Sequence, residues 1–439
     1  MKLNKDQIKA SLPDFGVNIV LAGAGAGKTK TLVEKVINVI NRTNITPENI
    51  LILTFSRKAA EEIKSRIISN AGDRADKITS GTFHSFCLNL IRQYSECFLD
   101  ISGFSNFPEV ADDETVNQII NNIIIENRDR LHGLPYNLVF GFIKSRKFLK
   151  KIIISKLEST GILIEIDKMI LDYSKIKHEK SIIDFDDMMD YATRMLESNA
   201  EIRNEVQNKF SYIFVDEFQD TSEENFSLLK QLLPEKPNLF AVGDDFQSIY
   251  GFRGSRLEYI VKPENYFYKP GKHILKINYR SKKEIVNIAG RFIKKNKNRS
   301  SKKLVSDKGA GGGITAKFVS GFEDEAEYVK ELLNILDDEE IAVLYRNNFQ
   351  GSYIKQFLKI DDPCVKFMTI HASKGLEFDA VILIGLSDKI IPDKSSDIEE
   401  ERRLLYVAMT RARENLYLIF HMKGSNEYPY FAKELGYSD

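Results

Sequence analysis

Short apolar runs alternate with segments of helical periodicity along most of the chain. The first runs are rich in Ile, Val and Leu, and each is followed by Gly, Asp or a polar turn; they cover 18–22, 49–55, 211–217 and 238–244. Short apolar runs of this kind indicate strands that are covered on both faces. Residues 28–42 predict an amphipathic helix with Leu32, Val36 and Ile40 on one face. The alternation predicts a doubly wound α/β fold with a parallel sheet.

A second series of apolar runs predicts a second α/β domain. Its runs cover 273–278, 314–319, 341–345, 366–370, 380–386 and 416–420. Residues between about 89 and 204 have mainly helical patterns and interrupt the first series of strands, which indicates a helical insertion. We therefore expect a first domain of 1–88 and 205–262, an insertion of 89–204 and a second domain of 263–439.

The charge balance limits the classes of partner. Lys plus Arg and Asp plus Glu each total 63 among the 439 residues, so the formal net charge is zero. This excludes a uniformly basic surface but leaves room for a local basic groove that binds nucleic acid. The three cysteines, Cys87, Cys97 and Cys364, have no metal-ligand spacing. There is no secretory leader pattern and no apolar run of about 20 residues, so we expect a cytoplasmic protein that does not bind membranes.

The segment "LAGAGAGKTKT" between the first predicted strand and helix fits a P-loop in which Ala22 replaces the first Gly. Small residues would let backbone N–H groups surround phosphates at a helix N-terminus. Lys28 would reach the β- and γ-phosphates, and Thr29 would bind Mg²⁺. A Gly-rich turn with an unrelated Lys is the alternative, and the strand-before, helix-after context argues against it. The predicted nucleotide-binding residues are Ala22, Gly23, Ala24, Gly25, Ala26, Gly27, Lys28, Thr29 and Lys30.

The segment "YIFVDEFQD" supplies an acidic pair at the end of a predicted strand. Asp216 could hold Mg²⁺, and Glu217 could polarise the attacking water. Together with the P-loop, this pair indicates an NTPase. The chain contains no Asn/Thr-Lys-x-Asp segment of the kind that reads guanine in GTPases. Arg280 and Arg411, in the second series of strands, are either ordinary surface arginines or cap the γ-phosphate across a cleft.

Nine segments in order extend this interpretation over residues 3 to about 420. They are "LNKDQ", "AGAGAGKT", "ILTFSRKAAEEIKSR", "GTFHSFC", "VDEFQDT", "VGDDFQSIYGFRGS", "NYRS", "TIHASKGLEFDAVILIGL" and "EERRLLYVAMTRARENLYL". In these segments the chain resembles the UvrD/Rep-type superfamily 1 DNA helicases. "IDFDDMM" (183–189) is similar to the segment by which that family returns from its helical insertion. The resemblance implies two RecA-like P-loop domains with parallel sheets.

The resemblance also implies roles for single residues. Gln7 would read adenine, Tyr279 would stack on the base and Glu377 would touch the ribose. Gln247 would sense the γ-phosphate, and Arg280 and Arg411 would be the γ-phosphate arginines. The implied cofactors are ATP and Mg²⁺.

The implied single-strand contacts are Phe55, Thr82, His84, Tyr250, Phe252, Arg253 and His371. A core aromatic is the alternative for Phe55 and Tyr250, and a packing histidine is the alternative for His371. Phe252 stands where the family often has Trp, and the chain contains no Trp. We therefore expect weaker base stacking at this position rather than its loss.

The predicted function is that of an ATP-dependent helicase or translocase that binds single-stranded and forked DNA and moves 3′ to 5′, as the resemblance implies. One alternative is a motor subunit that acts with a separate nuclease or repair protein. Another is a DNA-stimulated ATPase switch without processive unwinding. The residues do not distinguish DNA from RNA.

Two further segments have more than one interpretation. Residues 359–365 join a predicted helix to a predicted strand where larger relatives carry a helical accessory domain, termed 2B, so we expect a motor that lacks this domain. The basic tract 291–308 is either a solvated helix face and loop or a surface that contacts phosphates.

Overall fold

A computed structural model of the protein describes residues 2–131, 134–144, 162–337, 340–359, 362–393, 396–422 and 427–437. Two parallel sheets, with a mainly helical insertion in the first, confirm the predicted fold class. None of the helices in these ranges combines the length and the apolar character that crossing a membrane requires.

The first sheet has six parallel strands in the order β3-β2-β6-β7-β1-β8. They are β1 Val17–Ala22, β2 Ile50–Thr54, β3 Thr79–Thr82, β6 Tyr212–Val215, β7 Leu239–Gly243 and β8 Gly271–Leu275. Helices α1 Lys5–Ala10, α2 Lys28–Arg42, α3 Arg57–Ala71, α4 Phe83–Gln93, α11 Glu223–Leu232 and α12 Glu258–Val261 accompany it. The strands β1, β2, β6 and β7 are buried along their whole lengths, as their apolar sequences predicted.

Two strands of this sheet differ from the sequence prediction. Strand β3 was not predicted because its sequence, Thr-Ser-Gly-Thr, is polar, and its position at the sheet edge leaves it half-buried. The run predicted at 273–278 as the first strand of the second domain is wrong in its assignment. Its residues 273–275 belong to β8, which pairs with β1 in register Val20↔His273, and its residues 277–278 form β9. The first sheet thus takes its sixth strand from beyond the predicted boundary at residue 262.

The insertion is mainly helical, as predicted. Its helices are α5 Ser95–Ser102, α6 Asp113–Glu126, α7 Tyr136–Lys144, α8 Ile162–Glu179, α9 Phe185–Ser198 and α10 Ala200–Lys209. A short parallel pair of strands, β4 Glu109–Val110 and β5 Ile182–Ile183, was not predicted. Isoleucines of α6 pack with Val139 of α7 and Met169 of α8 to form a separate small core.

The second sheet has five parallel strands in the order β11-β15-β14-β12-β13. They are β11 Gly313–Val319, β12 Ile341–Tyr345, β13 Val365–Thr369, β14 Phe378–Leu386 and β15 Ala412–His421, and a two-stranded pair, β9 Ile277–Asn278 and β10 Val305–Ser306, precedes them. The accompanying helices are α13 Lys283–Ile293, α14 Phe322–Ile335, α15 Asn348–Leu358, α16 Ile398–Met409 and α17 Tyr430–Leu435. These five strands confirm the predictions from 314 onward.

The topology brings the candidate site together at one edge of the first sheet. Because its strands are parallel, the residues that follow β1, β6 and β7 meet at the same edge. Those residues are the P-loop, Asp216 and Asp244. Crevices at the carboxyl ends of parallel strands are the usual ligand sites of open α/β sheets.

The link between α15 and β13 runs from Lys359 to Cys364, and Ile360 and Asp361 lie outside the described residues. That an accessory domain is missing from this position stays a prediction.

Candidate functional site

The P-loop turns from β1 into the N-terminus of α2. Gly25 and Gly27 have φ values of 63° and 76°, in the left-handed region that favours glycine. A Cβ at Gly25 would lie 2.7 Å from the Arg280 Cβ, and one at Gly27 would lie 2.7 Å from the Gln7 Nε2. The loop therefore needs glycine both for its backbone and for the close approach of the second domain. Its N–H groups and the positive end of the 15-residue helix favour an anion.

Lys28 and Glu217 form an ion pair between the P-loop and the end of β6. The Lys28 Nζ donates to the Glu217 Oε2 at 2.8 Å, and Gln219 Nε2 donates to the same oxygen at 2.6 Å. The Glu217 backbone, with φ 50°, donates to the Asp216 Oδ1 at 2.9 Å. The Glu217 carboxylate is therefore paired with a cation, whereas the Asp216 carboxylate accepts from a backbone N–H group.

The pKa values of the two carboxyl groups move in opposite directions. Burial and the neighbouring Glu217 charge raise the pKa of Asp216 to about 7. Burial also raises the pKa of Glu217, but Lys28 and Lys374 outweigh this effect and lower it to about 2. Burial lowers the pKa of Lys28, and nearby carboxylates raise it to a net value above the ordinary one. Asp216 is thus a buried carboxyl group that a further cation would stabilise as a carboxylate.

The predicted adenine-binding residues lie beside the P-loop. Gln7 is buried in α1, and its Nε2 donates to the Ala26 carbonyl at 3.0 Å. Asn4 and Gln7 form a reciprocal capping box, and the Asn4 Nδ2 donates to the Tyr279 hydroxyl at 2.8 Å. The backbone N–H of Tyr279 donates to the Gly25 carbonyl at 3.0 Å. The structure thus brings Gln7 and Tyr279 together at the loop.

Gln247 connects the first domain to Arg411. Its Nε2 donates to Asp244 Oδ2 at 2.5 Å, and its Oε1 accepts from the Arg411 Nη2 at 3.0 Å. Arg411 is fully buried and also donates to the carbonyls of Val407 and Leu376. Burial and the Arg280 charge lower the pKa of Arg411 to about 9. Its side chain is therefore fixed on all sides and faces the first domain.

Arg280 lies against the P-loop from the second domain. Its Nε donates to the Glu377 Oε2 at 2.7 Å and its Nη1 to the Thr410 carbonyl at 3.2 Å. Glu377, the predicted ribose contact, also accepts from the Arg413 Nε at 3.2 Å. The buried Asn278 was not among the predicted site residues. Its Nδ2 donates to the Ala24 carbonyl at 2.7 Å, and its Oδ1 accepts from the Arg280 N–H. The sequence signal that could have identified Asn278 as a site residue is its position directly before Tyr279 and Arg280.

The aromatic loop, residues 250–253, gathers four of the predicted single-strand contacts. Tyr250 and Phe252 lie 6.3 Å and 5.8 Å from His371 between ring centroids, and the Arg253 guanidinium lies 5.5 Å from each of the two aromatic rings. The Phe252 side chain is 50% exposed. Burial, with the charges of Arg346, Arg253 and Lys374, lowers the pKa of His371 to about 4, so this ring is neutral at pH 7. These three rings form a cluster beside positive charge, and Phe252 is its most exposed member.

The other three predicted contacts have different neighbours. Phe55 is partly exposed and packs on Phe83 at 5.5 Å, and His84 meets Phe185 edge-on at 5.5 Å. Thr82 caps α4 by accepting from the Ser85 N–H at 3.1 Å. Phe55 and His84 follow β2 and β3, and Thr82 is the last residue of β3, so all three lie at the same sheet edge as the P-loop.

The basic tract contains one lysine that fits neither of its predicted interpretations. Lys302 is fully buried; its Nζ donates to the Ala22 carbonyl at 2.7 Å and pairs with Asp244 and Asp245 at 2.5 Å each. Its neighbours Ser301 and Lys303 are exposed. Lys302 is therefore neither a solvated charge nor a phosphate contact, because it neutralises two buried aspartates behind the P-loop.

We expect Lys302→Met to lower the free energy of unfolding by about 3–5 kcal/mol, because it leaves two buried carboxylates without their cation. Urea unfolding followed by circular dichroism measures this change. Lys303→Met is the matched control and should shift the value by no more than about 0.5 kcal/mol. A Lys302→Met protein as stable as this control would contradict the role of Lys302.

Two family models match the chain in sequence. The UvrD/REP helicase N-terminal domain matches residues 3–268, and the UvrD-like helicase C-terminal domain matches 273–362 and 352–423.

Curated relatives agree with the family models. The ATP-dependent DNA helicase PcrA of Staphylococcus aureus is 30% identical over 368 residues, which cover 82% of this chain and 50% of the relative. PcrA of Staphylococcus epidermidis is 31% identical over 369 residues, with the same coverage. A probable DNA helicase of Mycoplasma pneumoniae is 30% identical over 445 residues, 95% of this chain and 83% of the relative. The chain spans about half the length of the PcrA relatives. The family models, the relatives and the paired parallel sheets identify the chain as a member of the UvrD-like superfamily 1A helicase family.

Proposed function

We propose that the protein is an ATP-dependent DNA helicase or translocase that moves 3′ to 5′ along single-stranded DNA. One observation carries the proposal: Gln247 joins the nucleotide site to the aromatic loop. Its side chain contacts Arg411, and its carbonyl accepts from the Lys374 Nζ at 3.1 Å. The same Nζ lies 4.7 Å from the Tyr250 ring centroid. A change at the γ-phosphate position would therefore reach the stacking rings through Gln247 and the Lys374 side chain.

The residues around the P-loop fit ATP and Mg²⁺. Lys28 and the N–H groups of the loop would bind phosphate oxygens, and Gln7 and Tyr279 would bind the adenine ring. The Thr29 hydroxyl and the Asp216 carboxylate offer the hard oxygen ligands that Mg²⁺ prefers, and the raised pKa of Asp216 supports a cation there. Mg²⁺ at this position would neutralise charge on the β- and γ-phosphates.

Glu217 is the group that we assign to the attacking water. Its pKa of about 2 keeps it ionised at neutral pH, so it can accept a hydrogen bond from water. Arg280 and Arg411 would stabilise charge on the transferred phosphoryl group from the second domain. Alternating closure and release of the two domains would then move the chain along the strand.

Single-stranded DNA would stack its bases on the aromatic loop. Stacking on an aromatic ring contributes roughly 1–3 kcal/mol per base and tolerates any sequence. The direction of movement rests on membership of the UvrD-like family. Forked DNA is the proposed substrate for unwinding.

The short link between α15 and β13 supports a motor without the 2B accessory domain. The family model for the C-terminal half matches in two segments, 273–362 and 352–423, which is in keeping with a missing middle part. The same link favours a second candidate, a motor subunit that acts with a separate nuclease or repair protein. Such a motor would translocate alone but unwind only with its partner.

Three assays with the purified protein test the proposal. ATP hydrolysis is measured with single-stranded DNA and with RNA, streptavidin displacement from either end gives the direction, and a forked duplex reports unwinding. We expect DNA-stimulated hydrolysis and displacement from the 5′ end. Hydrolysis without DNA stimulation would contradict the proposal, and translocation without unwinding would favour the second candidate.

Phe252→Ala should weaken single-stranded DNA binding by about 5- to 150-fold, which corresponds to the loss of one stacked base. Basal hydrolysis should change less, because Phe252 is half exposed and remote from the P-loop in its contacts. Fluorescence anisotropy with a labelled oligonucleotide measures the affinity. Tyr268→Ala is the control, since Tyr268 is 85% exposed and lies outside the aromatic loop. Equal DNA affinities of the two variants would show that Phe252 does not contact DNA.

A further inference from the structure

Three consecutive acidic residues begin helix α16, and each has a different partner. Glu399 accepts from the backbone N–H groups of Lys297 at 2.6 Å and Asn298 at 3.3 Å. Glu401 accepts from the Arg346 Nη2 at 3.1 Å. Acidic residues are common in the first turn of a helix because they oppose its dipole. Glu400 makes contacts that this general preference does not explain.

Glu400 reaches across to the aromatic loop of the first domain. Its carboxylate lies against the backbone of Gly251 and interacts with the N–H groups of Gly251 and Phe252. A Cβ added at Gly251 would lie 2.6 Å from the Glu400 Oε2 and 3.1 Å from its Oε1. Gly251 is not among the residues with positive φ. Glycine is therefore needed here for the approach of the carboxylate and not for the backbone conformation.

Helix α16 also leads to the nucleotide site at its other end. It runs from Ile398 to Met409, and Arg411 follows two residues later and donates to Gln247. At 1.5 Å per residue, the 12-residue helix is roughly 18 Å long. The helix is buried from Glu401 to Met409, so it moves as part of the second domain. One rigid element thus holds Arg411 at one end and the aromatic loop at the other.

We propose that Glu400 is a positioning residue that fixes the aromatic loop relative to α16, so that single-stranded DNA and the γ-phosphate arginine respond to each other. The inference rests on the proposed function, because it assigns the loop to DNA. It is a second connection to the aromatic loop, which does not pass through Lys374. Glu400 itself touches neither nucleotide nor base.

A double-mutant cycle with Gly251→Ala and Glu400→Ala tests this contact. Glu400→Ala removes the acceptor, and Gly251→Ala displaces the flexible end of Glu400 from the same place. We expect each change to raise the DNA concentration for half-maximal ATPase stimulation by about three- to tenfold, with an unchanged KM for ATP. Because both remove one contact, the double variant should be no worse than either single variant. Glu400→Gln keeps an acceptor and should recover part of the loss.

Glu399→Ala is the matched control, since its partners are backbone groups of the basic tract and the Arg403 side chain of its own helix, and not groups of the loop. Its DNA half-saturation should equal that of the wild type. Additive losses in the double variant, or unchanged single variants, would overturn the assignment of Glu400 while wild-type DNA stimulation persists. A wild-type protein without DNA-stimulated hydrolysis would instead overturn the proposed function and this inference together.

Discussion

Replacing Glu217 by Gln is expected to reduce DNA-stimulated ATP turnover by about 10²- to 10⁴-fold, the usual contribution of a positioned general base. Lys28 and Lys374 keep Glu217 ionised despite burial and lower its pKa to about 2. When Lys28 contacts phosphate instead, the carboxylate loses this partner and becomes a stronger base. Gln has nearly the same shape and keeps one acceptor oxygen, but it cannot take a proton from water. Steady-state hydrolysis with saturating single-stranded DNA measures the loss.

Measuring ATP affinity distinguishes a role of Glu217 in the hydrolysis step from a role in nucleotide binding. Glu217→Gln should bind ATP at least as tightly as the wild type, because Lys28 loses its internal partner at 2.8 Å and remains free to contact phosphate. Lys28→Ala should lose both turnover and nucleotide affinity. Binding of a fluorescent ATP analogue distinguishes the two outcomes. Turnover within tenfold of the wild type in Glu217→Gln would require another base.

The core strands could be predicted because their sequences are mostly apolar, and a short apolar run indicates a buried strand. All six residues of β1 and all five of β7 are buried, and Ile/Val/Leu runs indicate this directly. Strand β3 has no apolar residue, so its pairing with β2 gives no sequence signal. Strand β8 was predicted as a strand but assigned to the wrong sheet. A sequence pattern indicates a strand, whereas its neighbour depends on distant parts of the chain.

The candidate site shows the same contrast between features that a local sequence pattern indicates and contacts with distant parts of the chain. Lys28 and Glu217 were both predicted as residues of the nucleotide site, each after a predicted strand, and they lie 2.8 Å apart. Lys302 was not expected at the site, because its aspartate partners are 57 and 58 residues away in the chain. A lysine within a basic run has the same sequence signature whether it is buried or solvated. Only the fold distinguishes the two.

Replacing Arg280 by Ala is expected to reduce kcat by about 10³- to 10⁵-fold, the range found for arginines that stabilise phosphoryl transfer. Its backbone is anchored beside the P-loop: the Arg280 N–H donates to the Asn278 Oδ1 at 2.9 Å, and Asn278 holds the Ala24 carbonyl. From this anchored backbone the side chain, here held by Glu377, is proposed to turn toward the γ-phosphate. The KM for ATP should change far less than kcat, because the charge that Arg280 is proposed to stabilise develops in the transition state.

Arg413 provides the matched control for Arg280, because both arginines donate to the Glu377 carboxylate. Arg413 has two further acidic partners, Glu340 and Asp379, on the protein surface. Arg413→Ala breaks exposed ion pairs that are worth up to about 1 kcal/mol each and should leave turnover within a few-fold of the wild type. Arg280→Lys keeps the charge but not the planar fork, so it should recover only part of the rate. If Arg280→Ala and Arg413→Ala lose turnover equally, the loss comes from the contact with Glu377 that the two arginines share. Arg280 would then order that carboxylate rather than stabilise the phosphoryl group.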